Sequence, residues 1–156
     1  MFALKLFATL GCGLMAGVFF AFSTFVMSAL SRLQPPQGIA AMQSINIMVI
    51  NPLFMMVFLG AAVACIFLVL TSLGRWHQPS TLYLLCGSLL YLVGTVLVTI
   101  ACNVPMNEAL AKLDPASADS ASFWAKYQID WTFWNHIRTS AALAAAAALT
   151  LSLGKG

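Results

Sequence analysis

The sequence predicts an all-α, polytopic membrane protein: a four-transmembrane-helix bundle with an extra short helix before the second span and a structured loop before the fourth. Three observations point there. Hydrophobic residues make up 62% of the chain and charged residues only 7%, whereas a soluble domain carries about a quarter charged residues. Four apolar runs, at about residues 4–30, 52–73, 81–102 and 135–153, are each of the roughly 20-residue length that a helix needs to cross a hydrocarbon core. The short alternating segments of a β-barrel are not seen. Residues 1–156 therefore read as one transmembrane domain with no soluble domain attached.

The first run begins beside Lys5 and continues through "LGCGLMAGVFFAFSTFVMSAL". A cleaved signal has an apolar region of about 7–15 residues, so this run reads as a retained span. Gly13 and Gly17, four apart, suit close helix packing. "QPPQ" ends the span, and "GIAAMQSINIMVI" reads as a separate helix lying on the surface or partly re-entrant. One straight helix from Gly38 to Leu73 would overrun the bilayer core. Asn51 followed by Pro52 supplies the break, Asn being a preferred N-cap and Pro a preferred first helical residue. In the third run Pro105 removes a backbone donor and predicts a kink or restart. "LDPASADSAS" then reads as loop, and "FWAKYQIDWTFW" as an aromatic approach to the last span.

Four spans put both termini and the turn "GRWHQPS" on one membrane face and the two longer connections on the other. Lysine and arginine are divided almost evenly between the faces, with Lys5, Arg75 and Lys155 against Arg32, Lys112, Lys126 and the boundary residue Arg138. The expectation adopted is a bacterial inner (plasma) membrane protein with cytoplasmic termini. Cys12, Cys65, Cys86 and Cys102 all fall inside spans without a CxxC pair, which reads as small packing residues. A formal charge of +3, scattered along the chain, gives no footing for nucleic acid.

Polarity is concentrated at the long-loop face. Asn46, Asn51, Asn103, Asn107 and Asn135 all sit at or near that end of their spans. Thr95, Thr99, Asn103 and Asn107 recur every four residues and line one helix face. Lipid cannot satisfy such side chains, so that face is expected to look inward. "WTFWNHIRT", residues 131–139, stands at the same end. On a helix Trp131, Trp134 and Arg138 share a stripe, Asn135 and Thr139 form an i, i+4 pair, and His136 points about 100° away from Asn135.

Plainer explanations exist for each piece. Trp131 and Trp134 suit an aromatic belt, Arg138 an interfacial anchor, Asn135 an N-cap, His136 a structural histidine and His77 an interfacial one. Several chemistries are disfavoured. One histidine with distant acids is too few ligands for a metal oxygenase, and no metal or cofactor is expected. His77 and His136 lie on opposite faces, against a bis-histidine haem. The span centres carry no ionisable residue of the kind a pump uses.

"GVFFAFSTFVMSAL", "GIAAMQSIN" with "NP", "YLVGTVLVTIACNVPMNEALA" and "W…Y…WTFWNHIRT" together span most of the chain, and in this order they resemble the anthrone oxygenase-like family of small four-span membrane proteins. The resemblance implies that some relatives oxidise anthrones to anthraquinones with O₂. On that analogy the catalytic candidates are His136 as base, Arg138 for charge stabilisation and Asn103 as a hydrogen-bond donor. Asn51, Thr99, Asn107, Trp131, Trp134 and Asn135 are the substrate-binding candidates. The alternative is a non-enzymatic membrane protein that binds a lipid, quinone or small hydrophobic ligand through the same pocket. The partners expected are the bilayer and a hydrophobic small molecule or lipid, with a homo-oligomer left open.

Overall fold

The computed structural model describes residues 1–74 and 78–154, and these are helical without strands. The expectations for Arg75, His77 and Lys155 lie outside the described residues. Among the described residues four helices are long and apolar enough to cross a membrane: α1 Phe2–Leu30, α3 Pro52–Ser72, α4 Ser80–Ala111 and α5 Ser120–Leu153. The short helix α2, Pro35–Met48, lies between the first two. Helix α5 packs along α1 and α4, and α3 packs on the same two, so the long helices close a ring in the order α1, α3, α4, α5.

Helical periodicity sets the faces. In α1 the buried residues Ala8, Cys12, Met15 and Phe19 recur at intervals of three and four and look inward. Phe7, Leu10, Leu14 and Phe20 are exposed on the other side, an apolar surface that suits lipid rather than water. The inner faces meet in two clusters. One joins Cys12, Phe19, Phe58, Cys65, Tyr91 and Leu149 within the spans. The other joins Leu30, Ile39, Met42, Leu110, Trp124 and Trp131 at the long-loop end, where α2 covers the ends of the spans.

Asn51 and Pro52 make the expected break. Asn51 has extended backbone angles, its Oδ1 accepts from Phe54 N at 3.0 Å, and Pro52 opens α3. A cap of this kind contributes about 1 kcal/mol. The Pro105 expectation is met differently. Helix α4 runs on past Cys102 to Ala111, and the turn before the proline is a π-helical stretch, Thr99–Asn103. A second π-helical stretch, Leu90–Leu97, precedes it, and a third, Phe22–Val26, lies in α1. The aromatic approach to the last span is also helical, continuous with that span, so Asn135 lies in mid-helix and is not an N-cap.

Small residues allow the close approaches. A Cβ on Gly94 would lie 2.5 Å from Ala141 Cβ, and one on Gly11 would lie 2.8 Å from Ala61 Cβ. Gly94→Ala is therefore expected to destabilise the protein by about 1–3 kcal/mol through overpacking, outweighing the roughly 1 kcal/mol that Ala gains over Gly in a helix. Adding Ala141→Gly should recover most of the loss, as read from thermal unfolding in detergent. Wild-type stability in the single variant would mean that α4 and α5 do not meet at this position.

Candidate functional site

The four-residue polar stripe of α4 faces α5 and is paired to it along its length. Thr95 Oγ1 donates to Arg138 O at 3.4 Å, and Arg138 Nη1 donates to Thr99 Oγ1 at 3.2 Å. Asn103 Nδ2 donates to Trp131 O at 3.2 Å. Asn107 Oδ1 accepts from both Tyr127 Oη and Trp131 Nε1 at 2.8 Å. A four-residue repeat drifts by about 40° per step on an α-helix, and the wider i→i+5 turns of the π-helical stretches offset that drift. The stripe stays on α5 because α4 is wound more loosely there.

At the centre is Arg138. It is 5% exposed, and its guanidinium lies between the rings of Phe19, 4.4 Å from the centroid, and Trp131, 5.2 Å away. Nη2 donates to Asn135 Oδ1 at 2.7 Å, and Nε is buried without a partner. The ion pair found among the described residues is Lys126–Asp130 on the surface, so no carboxylate offsets Arg138. A buried charge without a counter-ion is costly, and side-chain dipoles with two aromatic faces are what hold this one. The acceptor Asn103 Oδ1 is also buried and unpaired.

Asn135 carries the polarity across to α1. Its Nδ2 donates to Phe19 O at 2.8 Å and to Ser23 Oγ at 2.7 Å. Ser23 Oγ lies 3.0 Å from Thr139 Oγ1. Thr139 directs its own proton to Asn135 O at 2.8 Å, which makes Ser23 the donor in that pair. Arg138, Asn135 and Ser23 thus form a guanidinium–amide–hydroxyl relay in which each member polarises the next.

His136 is one helical step from this relay and faces outward. It lines a shallow groove of about 470 Å³ between α1 and α5 with Ser23, Met27, Thr132 and Phe133, a volume within the range of small-molecule sites. Among the described residues no hydrogen bond engages its ring, and no group of three or more potential metal ligands is present.

The expected site residues therefore fall into separate sets. Arg138, Asn135, Thr99, Asn103, Asn107 and Trp131 are joined by hydrogen bonds or ring contacts between the helices. His136 faces the groove instead. Asn51 is exposed, and its Nδ2 donates to Met48 O while its Oδ1 caps α3, so both ends of its amide are used locally. Trp134 is half-buried with its ring edge-on to Phe133. Ser23, not among the sequence candidates, touches both the relay and the groove, and Tyr127 belongs with Asn107.

Comparison with family models matches residues 52–148, more than half of the chain, to the family described as anthrone oxygenase. No curated protein and no solved structure matches.

Proposed function

The chain belongs to the anthrone oxygenase family, and from that premise we propose a cofactor-independent oxygenase that oxidises an anthrone-like or other hydrophobic aromatic substrate in the groove beside His136. The supporting observation is Arg138, a buried cation without a carboxylate, linked through Asn135 to the Ser23 hydroxyl on the groove wall. Such a relay favours negative charge developing at that wall. The groove lies on the outer surface of α1 and α5, where a hydrophobic substrate can arrive through the bilayer.

In this mechanism His136 removes a proton from the CH₂ between the substrate's aromatic rings. The resulting anion carries its charge on the ketone oxygen, which the Ser23 hydroxyl meets after turning from Thr139. The anion passes one electron to O₂, and the carbon radical and superoxide combine as a peroxide at the same carbon. Loss of the second C–H proton with cleavage of the O–O bond leaves a second carbonyl and releases water. One CH₂ and one O₂ give one C=O and one H₂O; the carbon loses four electrons and O₂ gains them. Asn103 and Asn107 act as positioning residues, holding Trp131 and Tyr127 behind the relay. We place this activity in a bacterial plasma membrane, with both termini on the cytoplasmic side.

The test is O₂ uptake by the purified chain with an added anthrone, against heat-unfolded protein. The expected result is uptake of one O₂ per anthrone, with quinone absorbance rising in step. A rate equal to the control would reject the oxygenase. A specific observation favours a second reading, a non-enzymatic binder of a lipid, quinone or small hydrophobic molecule: Asn135 already uses both of its amide N–H groups, and Asn103 one, within the protein. A ligand that raises Tm with no O₂ uptake would select that reading.

A further inference from the structure

At the end of the helices opposite to His136, the start of α1, the end of α3, the start of α4 and the end of α5 surround a cavity of about 270 Å³. Its polar wall is made by Lys5, Thr71, Ser72, Gln78, Ser80 and Thr81. Lys5 is 9% exposed, and its Nζ donates to Ser152 O at 3.2 Å, in the last turn of α5. That contact accounts for one of the three donors of an ammonium group and fixes Nζ at the cavity wall. The chain's four acidic side chains, Glu108, Asp114, Asp119 and Asp130, all belong to the other end, so no acidic side chain serves Lys5 among the described residues. The first turn of α4 adds the Ser80 N–H at the positive end of that helix, since Pro79 carries no N–H and Thr81 N donates to Gln78 O at 3.0 Å.

Thr71 and Ser72 donate their hydroxyl protons to Phe67 O and Leu68 O within α3, so the Lys5 ammonium, the Gln78 amide, the Ser80 hydroxyl and the positive end of a helix are the donors on this cavity, a set that suits an anion rich in oxygen. The cavity stands at the ends of all four spans, the depth of lipid headgroups. We propose that it binds a phosphate-type anion, either the headgroup of an anionic lipid or free phosphate, with Lys5 Nζ as the cationic ligand. Lys5 lies outside the residues matched by the family and far along α1 from Ser23, so this site is independent of the oxygenase reading.

The experiment compares Tm of the purified full chain with phosphatidylglycerol, phosphatidylcholine or inorganic phosphate added to the detergent. Stabilisation that grows with ligand concentration is expected for phosphatidylglycerol and not for phosphatidylcholine. A response to inorganic phosphate as well identifies a free-anion site, and its lack identifies the lipid headgroup. Lys5→Gln keeps a donor for the Ser152 carbonyl without the charge and should weaken the apparent affinity about tenfold or more; Lys5→Arg should retain most of it. If Lys5→Gln does not fold, Gln78→Glu, at the exposed rim, should weaken the same response by repulsion. The proposal is overturned if the native chain responds to neither anion, or if Lys5→Gln or, where that does not fold, Gln78→Glu responds as the native chain does.

Discussion

His136→Ala lowers kcat for O₂-dependent turnover of an anthrone by about 10²–10⁴-fold, the usual contribution of a positioned general base, with Tm almost unchanged. The two expectations have one origin. His136 is exposed on α5 and its ring has no hydrogen bond among the described residues, so the fold does not lean on it. Surface changes of this sort usually stay within about 0.5 kcal/mol. Exogenous imidazole should restore part of the rate in the alanine variant, because the groove is open to small molecules. Full turnover in His136→Ala would remove this residue from the proton transfer and move attention to other groove groups.

Arg138→Met is expected to separate folding from function more sharply. Methionine has comparable length and no charge to bury, so the desolvation cost of an unpaired buried ion is removed. Stability should therefore be held or gained, although Asn135 Oδ1 loses its donor. Turnover should fall by about 10²–10³-fold, the scale of a lost oxyanion-stabilising group. The loss should appear in kcat and kcat/KM together, since the charge acts on the anion rather than on the neutral substrate. Arg138 works through Asn135 and Ser23, so Arg138→Met and Ser23→Ala should be strongly non-additive in a double-mutant cycle. Independent, multiplying losses would mean that the relay does not transmit the charge.

Much of this arrangement could be read in the residues. The four apolar runs become four helices of spanning length. The Asn51–Pro52 break and the inward face of Thr95, Thr99, Asn103 and Asn107 followed from capping chemistry and from the cost of polarity in lipid. The start of the last helix was less legible. Hydropathy marks where a helix becomes apolar, not where it begins, and Trp124, Tyr127, Trp131, Asn135 and Arg138 continue one buried face below that boundary. Ser23 was hidden for a different reason: it stands beside Thr24 in the same apolar run, and Thr24 donates to the carbonyl of Phe20 on its own helix. What distinguishes the two is which of them meets Asn135 from another helix. Likewise, a helical wheel separates His136 from Asn135 by about 100°, but not which neighbour fills each direction.

The π-helical turns of α4 have a consequence for register. An i→i+5 turn holds one residue more than an α turn, so each such stretch behaves like a vernier notch cut between the two ends of the helix. Rewinding Leu90–Leu97 as ordinary helix with every residue kept would swing the segment beyond it by about 100°, whereas losing a single residue from the stretch would cancel that swing. With the swing, Gly94 would keep α4 seated on Ala141 while Asn103 and Asn107 turned toward lipid. The chain thus sets the azimuth of its polar end separately from the packing of its apolar end, through helical pitch alone.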